Sequence, residues 1–175
     1  MKERARILIF TGDGKGKTTA ALGLALRAAG HGMRVLVLQF VKNGQMTGEL
    51  VSARKIPGFE IEQRGCGFVP PEGSAQFVVH REAAEKVLRE AAEVLRAGSH
   101  DVVVLDEFCL AVAKNLVLEQ AALDVVGSAR PGTVLVLTGR GATPGLIAAA
   151  DTVTEMCVRK HGMQVGIRAQ RGVEY

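Results

Sequence analysis

Thr11-Gly12-Asp13-Gly14-Lys15-Gly16-Lys17-Thr18 lies between a short apolar run, Arg6 to Phe10, and an Ala- and Leu-rich stretch, Thr18 to Ala29, that stops at Gly30. The octapeptide fits G-x-x-x-x-G-K-[ST] at every position but the first, where Thr11 stands in place of glycine. Its flanks give the pattern meaning. A buried strand runs into it and a helix leaves it at once, so successive backbone N–H groups and the helix N-terminus converge on one anion. Gly12, Gly14 and Gly16 leave space for phosphate oxygens, Lys17 reaches the phosphate chain as a point charge, and the Thr18 hydroxyl is placed to ligate Mg²⁺. Lys15 adds positive charge that Asp13 partly offsets, and it has two readings, a phosphate contact or a solvated lysine.

Outward from the loop, strand-like and helix-like stretches alternate. Strands are expected at Val35 to Phe40, Phe59 to Gln63, Val102 to Leu105, Val134 to Thr138, Thr152 to Val158 and Met163 to Ala169. Between them lie a helix from about Ser74 to Gly98 with the apolar stripe Ala84, Val87, Leu88, Ala91 and Leu95, helical segments over Leu110 to Ala129, and a short helix from Pro144 to Ala150. Val41 to Gly58 lacks clean periodicity and reads as a long functional loop, and Arg64 to Pro71 as irregular. The alternation predicts an α/β fold, a mostly parallel sheet with helices on both faces, as one domain over residues 1–175.

Composition removes several function classes. The chain has 175 residues, 47% of them hydrophobic, but its longest apolar runs are strand-sized and short of the roughly 20 residues that span a bilayer. No membrane partner is expected. Met1 to Arg6 reaches the first strand too soon to hold a signal peptide, and Cys66, Cys109 and Cys157 are widely spaced with no zinc-ligand pattern, so reduced thiols and a cytoplasmic location are expected. A net charge of +4, from 22 basic and 18 acidic residues, and only 4% aromatics argue against nucleic acid as partner. Small anions fit better.

Val102 to Leu105 ends in Asp106 and Glu107, and ligands of parallel sheets gather at the carboxyl ends of strands. Together with the loop, this places at least one of the two carboxylates as a metal or water ligand; Asp106 has the second reading of a helix N-cap. Arg140, in Thr138-Gly139-Arg140-Gly141, follows a strand and stands where a ligand could meet it. Arg27 lies on the helix after the loop, where most arginines face water. His31, His80, His100 and His161 form no close group, and no nucleophile and base pair is visible.

These residues resemble the P-loop type ATP:corrinoid adenosyltransferases. The resemblance runs from Thr11 to Tyr175 through TGDGKGKTTAALGLALRAAGHG at Thr11, QFVKN at Gln39, TGE at Thr47, VVVLDE at Val102, ARPG at Ala129, LTGRGA at Leu137, DTVTEM at Asp151 and KHGMQVGIRAQRGVEY from Lys160. It implies a RecA-like fold, a homodimer, and transfer of the 5′-deoxyadenosyl group of ATP to cobalt(I) of a corrinoid, with Mg²⁺ and an electron-donating reductase such as a flavoprotein as partner. Residue by residue, Gly12 to Thr18 with Thr19 resemble the triphosphate cradle, Lys17 a catalytic contact to the leaving group, Thr18 and Glu107 the Mg²⁺ site with Asp106 as companion, and Arg27 and Arg140 nucleotide contacts. Gly65-Cys66-Gly67-Phe68 resembles the stretch that packs beneath the corrin. It keeps the Phe, whereas the Trp position is Pro70. A P-loop kinase or ATPase acting on the terminal phosphate, or a non-catalytic nucleotide-dependent module, remains the competing class.

Overall fold

The computed structural model describes residues 4–44 and 46–174; Met1 to Glu3, Gln45 and Tyr175 lie outside the described residues. The run before the loop forms β1 (Arg6–Thr11) and the stretch after it α1 (Lys17–Gly30). β2 (Val35–Gln39), β3 (Phe59–Gln63), β4 (Val102–Asp106), β5 (Val134–Thr138) and β6 (Thr152–Glu155) complete a sheet of order β3-β2-β4-β5-β1-β6, parallel at every pairing. β5 therefore lies between the strand that carries the loop and the strand that ends at Asp106.

Layering follows from alternation along the strands. Ile7, Ile9, Leu36, Leu38, Val103, Leu105, Leu135 and Leu137 face one side, under α3 (Ala75–Ala97), α4 (Phe108–Ala113), α5 (Glu119–Gly127) and α6 (Pro144–Ala149). Val35, Val37, Val102, Val104 and Val136 face the other, under α1 and Ala53 of α2 (Gly48–Ala53). The buried apolar face of α1 is Ala21, Ala25 and Ala28, three methyl groups that let the helix lie close on a surface of β-branched valines. The α/β layering expected from sequence is thus present. The stripe of α3 is also buried as read, and Ser74 caps its start by accepting the Phe77 N–H at 3.2 Å.

Four boundaries differ from the sequence reading. The stretch 41–58 contains α2. The helical run from Leu110 is two helices, beginning earlier at Phe108 and parted near Asn115, whose φ of 55° cannot continue a helix. β6 stops at Glu155 because the Met156 carbonyl turns to accept the Gly14 N–H at 2.6 Å. Met163 to Ala169 is not a strand: a 3₁₀ turn, η1 (Gly162–Val165), closes at Gly166 with φ 77°. Its alternating Met163, Val165 and Ile167 misled the reading, since all three side chains are exposed.

The segment after β3 is pinned to the end of β2 by Gly65 N–H to Lys42 O at 3.0 Å and Gly67 N–H to Val41 O at 2.7 Å. A Cβ on Gly65 would sit 2.3 Å from the carbonyl carbon and oxygen of Val41. Backbone cannot yield as a side chain can. Gly65→Ala is therefore expected to lose about 1–3 kcal/mol in denaturant unfolding, the usual cost of overpacking; unchanged stability would refute the close backbone approach.

Candidate functional site

The loop turns where its chemistry requires. Thr11 is still strand, and its buried hydroxyl accepts the Ala142 N–H at 3.2 Å, which accounts for a non-glycine at the first motif position. Gly12 has φ 91°, and a Cβ there or at Gly14 would lie 2.6 or 2.5 Å from the Met156 carbonyl oxygen. Gly16, with φ 107°, stands at the N-cap of α1 and offers no side-chain cap, so the first-turn N–H groups of Lys17, Thr18 and Thr19 are left for a ligand. The Gly14 N–H differs from expectation. It is committed to Met156 and not to the anion side.

Asp13 to Thr19 line an open cleft of about 1430 Å³. Across from them stand Lys42 and Glu49, then Phe68 to Glu72 with Phe77, and on the side of β4 and β5 Glu107, Lys114 and Arg140. Phe68 is 96% exposed, an unusual state for a large aromatic that marks a contact surface. Val69, Pro70 and Pro71 extend this apolar wall. Arg27 is elsewhere: it is exposed in the last turn of α1 and does not line the cleft, because ten residues of helix separate it from Lys17, roughly 15 Å.

Lys17 is buried, its ammonium donating to the Gly12 and Gly14 carbonyls at 2.6 and 2.7 Å. Burial lowers its pKa; Glu107 works against that, Arg140 with it, and Asp13 against it. Lys15 is paired at 2.5 Å with Glu174, a residue of the C-terminal segment that folds back beside the loop. Arg140 lies 3.9 Å from Asp13, both side chains exposed.

Asp106 is wholly buried and sits behind the cleft. Its Oδ1 accepts the hydroxyls of Thr18 at 2.8 Å and Thr138 at 2.7 Å, and its Oδ2 accepts the Gln39 amide at 3.0 Å. The N-cap reading of Asp106 is corrected: the residue at the cap of α4 is Glu107, with φ 60° and no side-chain cap bond. Glu107 faces the cleft half-buried, and burial, followed by the neighbouring Asp106, raises its carboxyl above the ordinary 4.5 although Lys17, Arg140 and Lys42 pull it down.

Among the described residues no cluster of three or more His, Cys, Asp or Glu could hold a metal by itself. The donors at the loop suit a different kind of cation. A hydroxyl whose proton is given to Asp106 keeps its oxygen lone pairs free, and with the Glu107 carboxylate it fits a hard ion that draws further oxygens from phosphate.

Sequence reasoning missed the Lys42–Glu49 pair at 2.6 Å, Gln39, Thr138, His161 and Glu174. Burial pushes Glu49 up, but its hydrogen bonds, Lys42 foremost, hold it below the ordinary value. Lys42, Gln39 and Thr138 lie within QFVKN and LTGRGA, so the signal was present as motif without a role attached.

Residues 3–175 match the family described as ATP:corrinoid adenosyltransferase BtuR/CobO/CobP. The chain belongs to this family. The corrinoid adenosyltransferase of Pseudomonas aeruginosa is 42% identical over 177 residues, covering 99% of this chain and 85% of the relative. That of Escherichia coli K12 is 35% identical over 173 residues, covering 99% and 87%. Among solved structures, the KaiC-like protein PH0186 from Pyrococcus horikoshii OT3 aligns with a TM-score of 0.55 at 17% identity, over 90% of this chain and 74% of that one, a likeness of fold alone.

The raised Glu107 carboxyl has a measurable sign. Below pH 4.5 the group is neutral folded and unfolded; as pH rises through the folded-state value, the folded chain is ionised at a greater cost than the unfolded one, and stability is lost. Glu107→Gln is expected to raise the melting temperature at neutral pH and to lose that gain toward pH 4. A gain independent of pH would contradict the assignment.

Proposed function

We propose that the chain transfers the 5′-deoxyadenosyl group of ATP to cobalt(I) of a corrinoid, releasing tripolyphosphate. The observation that carries this reading is one cleft with two unlike walls, a glycine-lined anion loop ending in Lys17 and Thr18 and an apolar wall ending in exposed Phe68, in a chain of this family. The triphosphate lies along Asp13 to Thr19 and the ribose carbon points across the cleft.

Cobalt(I) attacks C5′ with its electron pair, the C5′–O bond breaks, and the pair leaves on the α-phosphate oxygen. No protein nucleophile is required, and Cys109, beside the cleft residue Leu110, is unfit for one: it is fully buried and its thiol is pushed up to about 12. Charge that develops on the leaving group meets the Lys17 ammonium and the first-turn N–H groups. Thr18 and Glu107, with Asp106 behind them, would hold Mg²⁺, which when bound neutralises charge on the triphosphate. Arg140 contacts the nucleotide from the β5 side. Phe68 packs beneath the corrin and displaces the lower cobalt ligand, the adjacent Val69, Pro70 and Pro71 covering the surface where the family carries Trp.

A homodimer and an electron-donating reductase such as a flavoprotein belong to the same reading. The edge strand β6 is exposed along its length, and Val158, Met163, Val165 and Ile167 beyond it offer apolar surface to a second copy. Among the described residues no helix is long and apolar enough to cross a membrane. Three free thiols suit a cytoplasmic setting.

Incubation with Mg-ATP and chemically reduced corrinoid is expected to give adenosylcorrinoid and tripolyphosphate in equal amounts. Accumulation of ADP with no cobalt–carbon bond would replace this reading with a kinase or ATPase. Lys17→Ala should weaken ATP binding by about 2 kcal/mol, the worth of a charge-assisted contact; an unaltered Kd would place the triphosphate elsewhere.

A further inference from the structure

Thr138 is the last residue of β5, between the strand that carries the loop and the strand that ends at Asp106. Its hydroxyl is wholly buried and works in two directions. It donates to Asp106 Oδ1 at 2.7 Å and accepts the Glu107 N–H at 2.9 Å. The same Asp106 oxygen accepts the Thr18 hydroxyl at 2.8 Å. One side chain thus ties together the aspartate behind the loop and the backbone of the glutamate that faces the cleft.

Glu107 needs such a tie. With φ 60° and ψ 20° it occupies the left-handed region, which a residue with a Cβ adopts only when its surroundings hold it there. The turn brings its carboxylate within the field of Lys17, Arg140 and Lys42, cations from three separate segments that all line the cleft. Without an acceptor for its N–H, residue 107 would leave a part-buried donor unpaired and gain by relaxing toward ordinary φ, carrying the carboxylate away from the loop. Asp106 would keep Gln39 at Oδ2 and Thr18 at Oδ1 but lose one of the two bonds that fix Oδ1.

We propose that Thr138 is a positioning residue, whose hydroxyl holds Glu107 in its left-handed turn and Asp106 against Thr18, and so sets the two oxygens that meet the cation of Mg-ATP. It rests on the reading of Thr18 and Glu107 given under the proposed function. Nothing in the loop pattern or in the acidic strand end assigns this task to β5.

The test compares binding of ATP with Mg²⁺, with Mn²⁺ and without metal, by calorimetry on the full chain, together with adenosylation rates. Thr138→Val keeps the shape and loses both bonds. It is expected to weaken the metal-dependent part of ATP binding and to lower kcat by about 10- to 100-fold, as loss of a partner behind a metal ligand does, while metal-free ATP binding is unchanged. Thr138→Ser keeps the hydroxyl and should restore the wild-type metal dependence, a rescue that a purely packing role would not give. Thr138→Ala carries the same expectation as the valine variant if valine prevents folding. In a Glu107→Gln background, Thr138→Val should cost less than in the wild type, because the part exerted through Glu107 is already gone and only the part exerted through Asp106 and Thr18 remains. Wild-type metal dependence in Thr138→Val or Thr138→Ala, or an additive loss in the double variant, overturns the inference while leaving the proposed function standing. Wild-type metal dependence in Glu107→Gln itself would remove the underlying reading of Glu107, and this inference with it.

Discussion

A carboxylate enclosed by a sheet is tolerable only if donors surround it, and at Asp106 the donors come from three places that are distant in sequence. Gln39 arrives from β2, Thr138 from β5 and Thr18 from the first turn of α1. Each of these partners must be in register for the charge to be accommodated. The parallel pairing that sets Gln39 opposite Asp106 is therefore also what fixes the Thr18 hydroxyl at the floor of the loop. Fold and site share one constraint here, and a slip of either strand would cost both.

From that fixed point the two walls of the cleft separate by chemistry. The loop side is backbone amide and ammonium, built on α1, whose alanine face lets it rest close on the valine surface of the sheet. The opposite side is Phe68 and its proline-rich continuation, held by hydrogen bonds to the end of β2 and by Val69 packed against the core, while the Phe68 side chain itself stays exposed. A polyanion and a flat apolar macrocycle are recognised by different physics, one by directed donors and the other by contact area.

Much of this was legible in the sequence because the relevant signals are local. The strand before Thr11, the glycines at fixed offsets and the apolar stripe of α3 each depend on residues a few positions apart. What escaped was set by contacts across long distances. Alternation at Met163, Val165 and Ile167 reads as a strand until it is known that the N–H groups of Met163 and Ile167 bond within the turn, to His161 and Gly162, and not to a neighbouring strand. The apolar run from Leu110 gives no hint of the left-handed Asn115 that divides it. Gln39 and Thr138 look like ordinary strand ends, since their meaning lies in a shared partner far along the chain. Arg27 sits on the helix after the loop, but the length of helical rise carries it away from the cleft.

The closeness of Gly12 and Gly14 to the main chain of Met156 bears on how portable such a loop is. Its curvature is moulded on one side by Met156, just past the end of β6 and more than a hundred residues later, and one amide of the octapeptide is already spent on that residue. The eight residues are therefore half of a cast and not a cassette. Grafted behind another strand they would carry the composition of a phosphate site without its contour, and a chain cut short before β6 would forfeit the anion hollow although every residue of the motif remained.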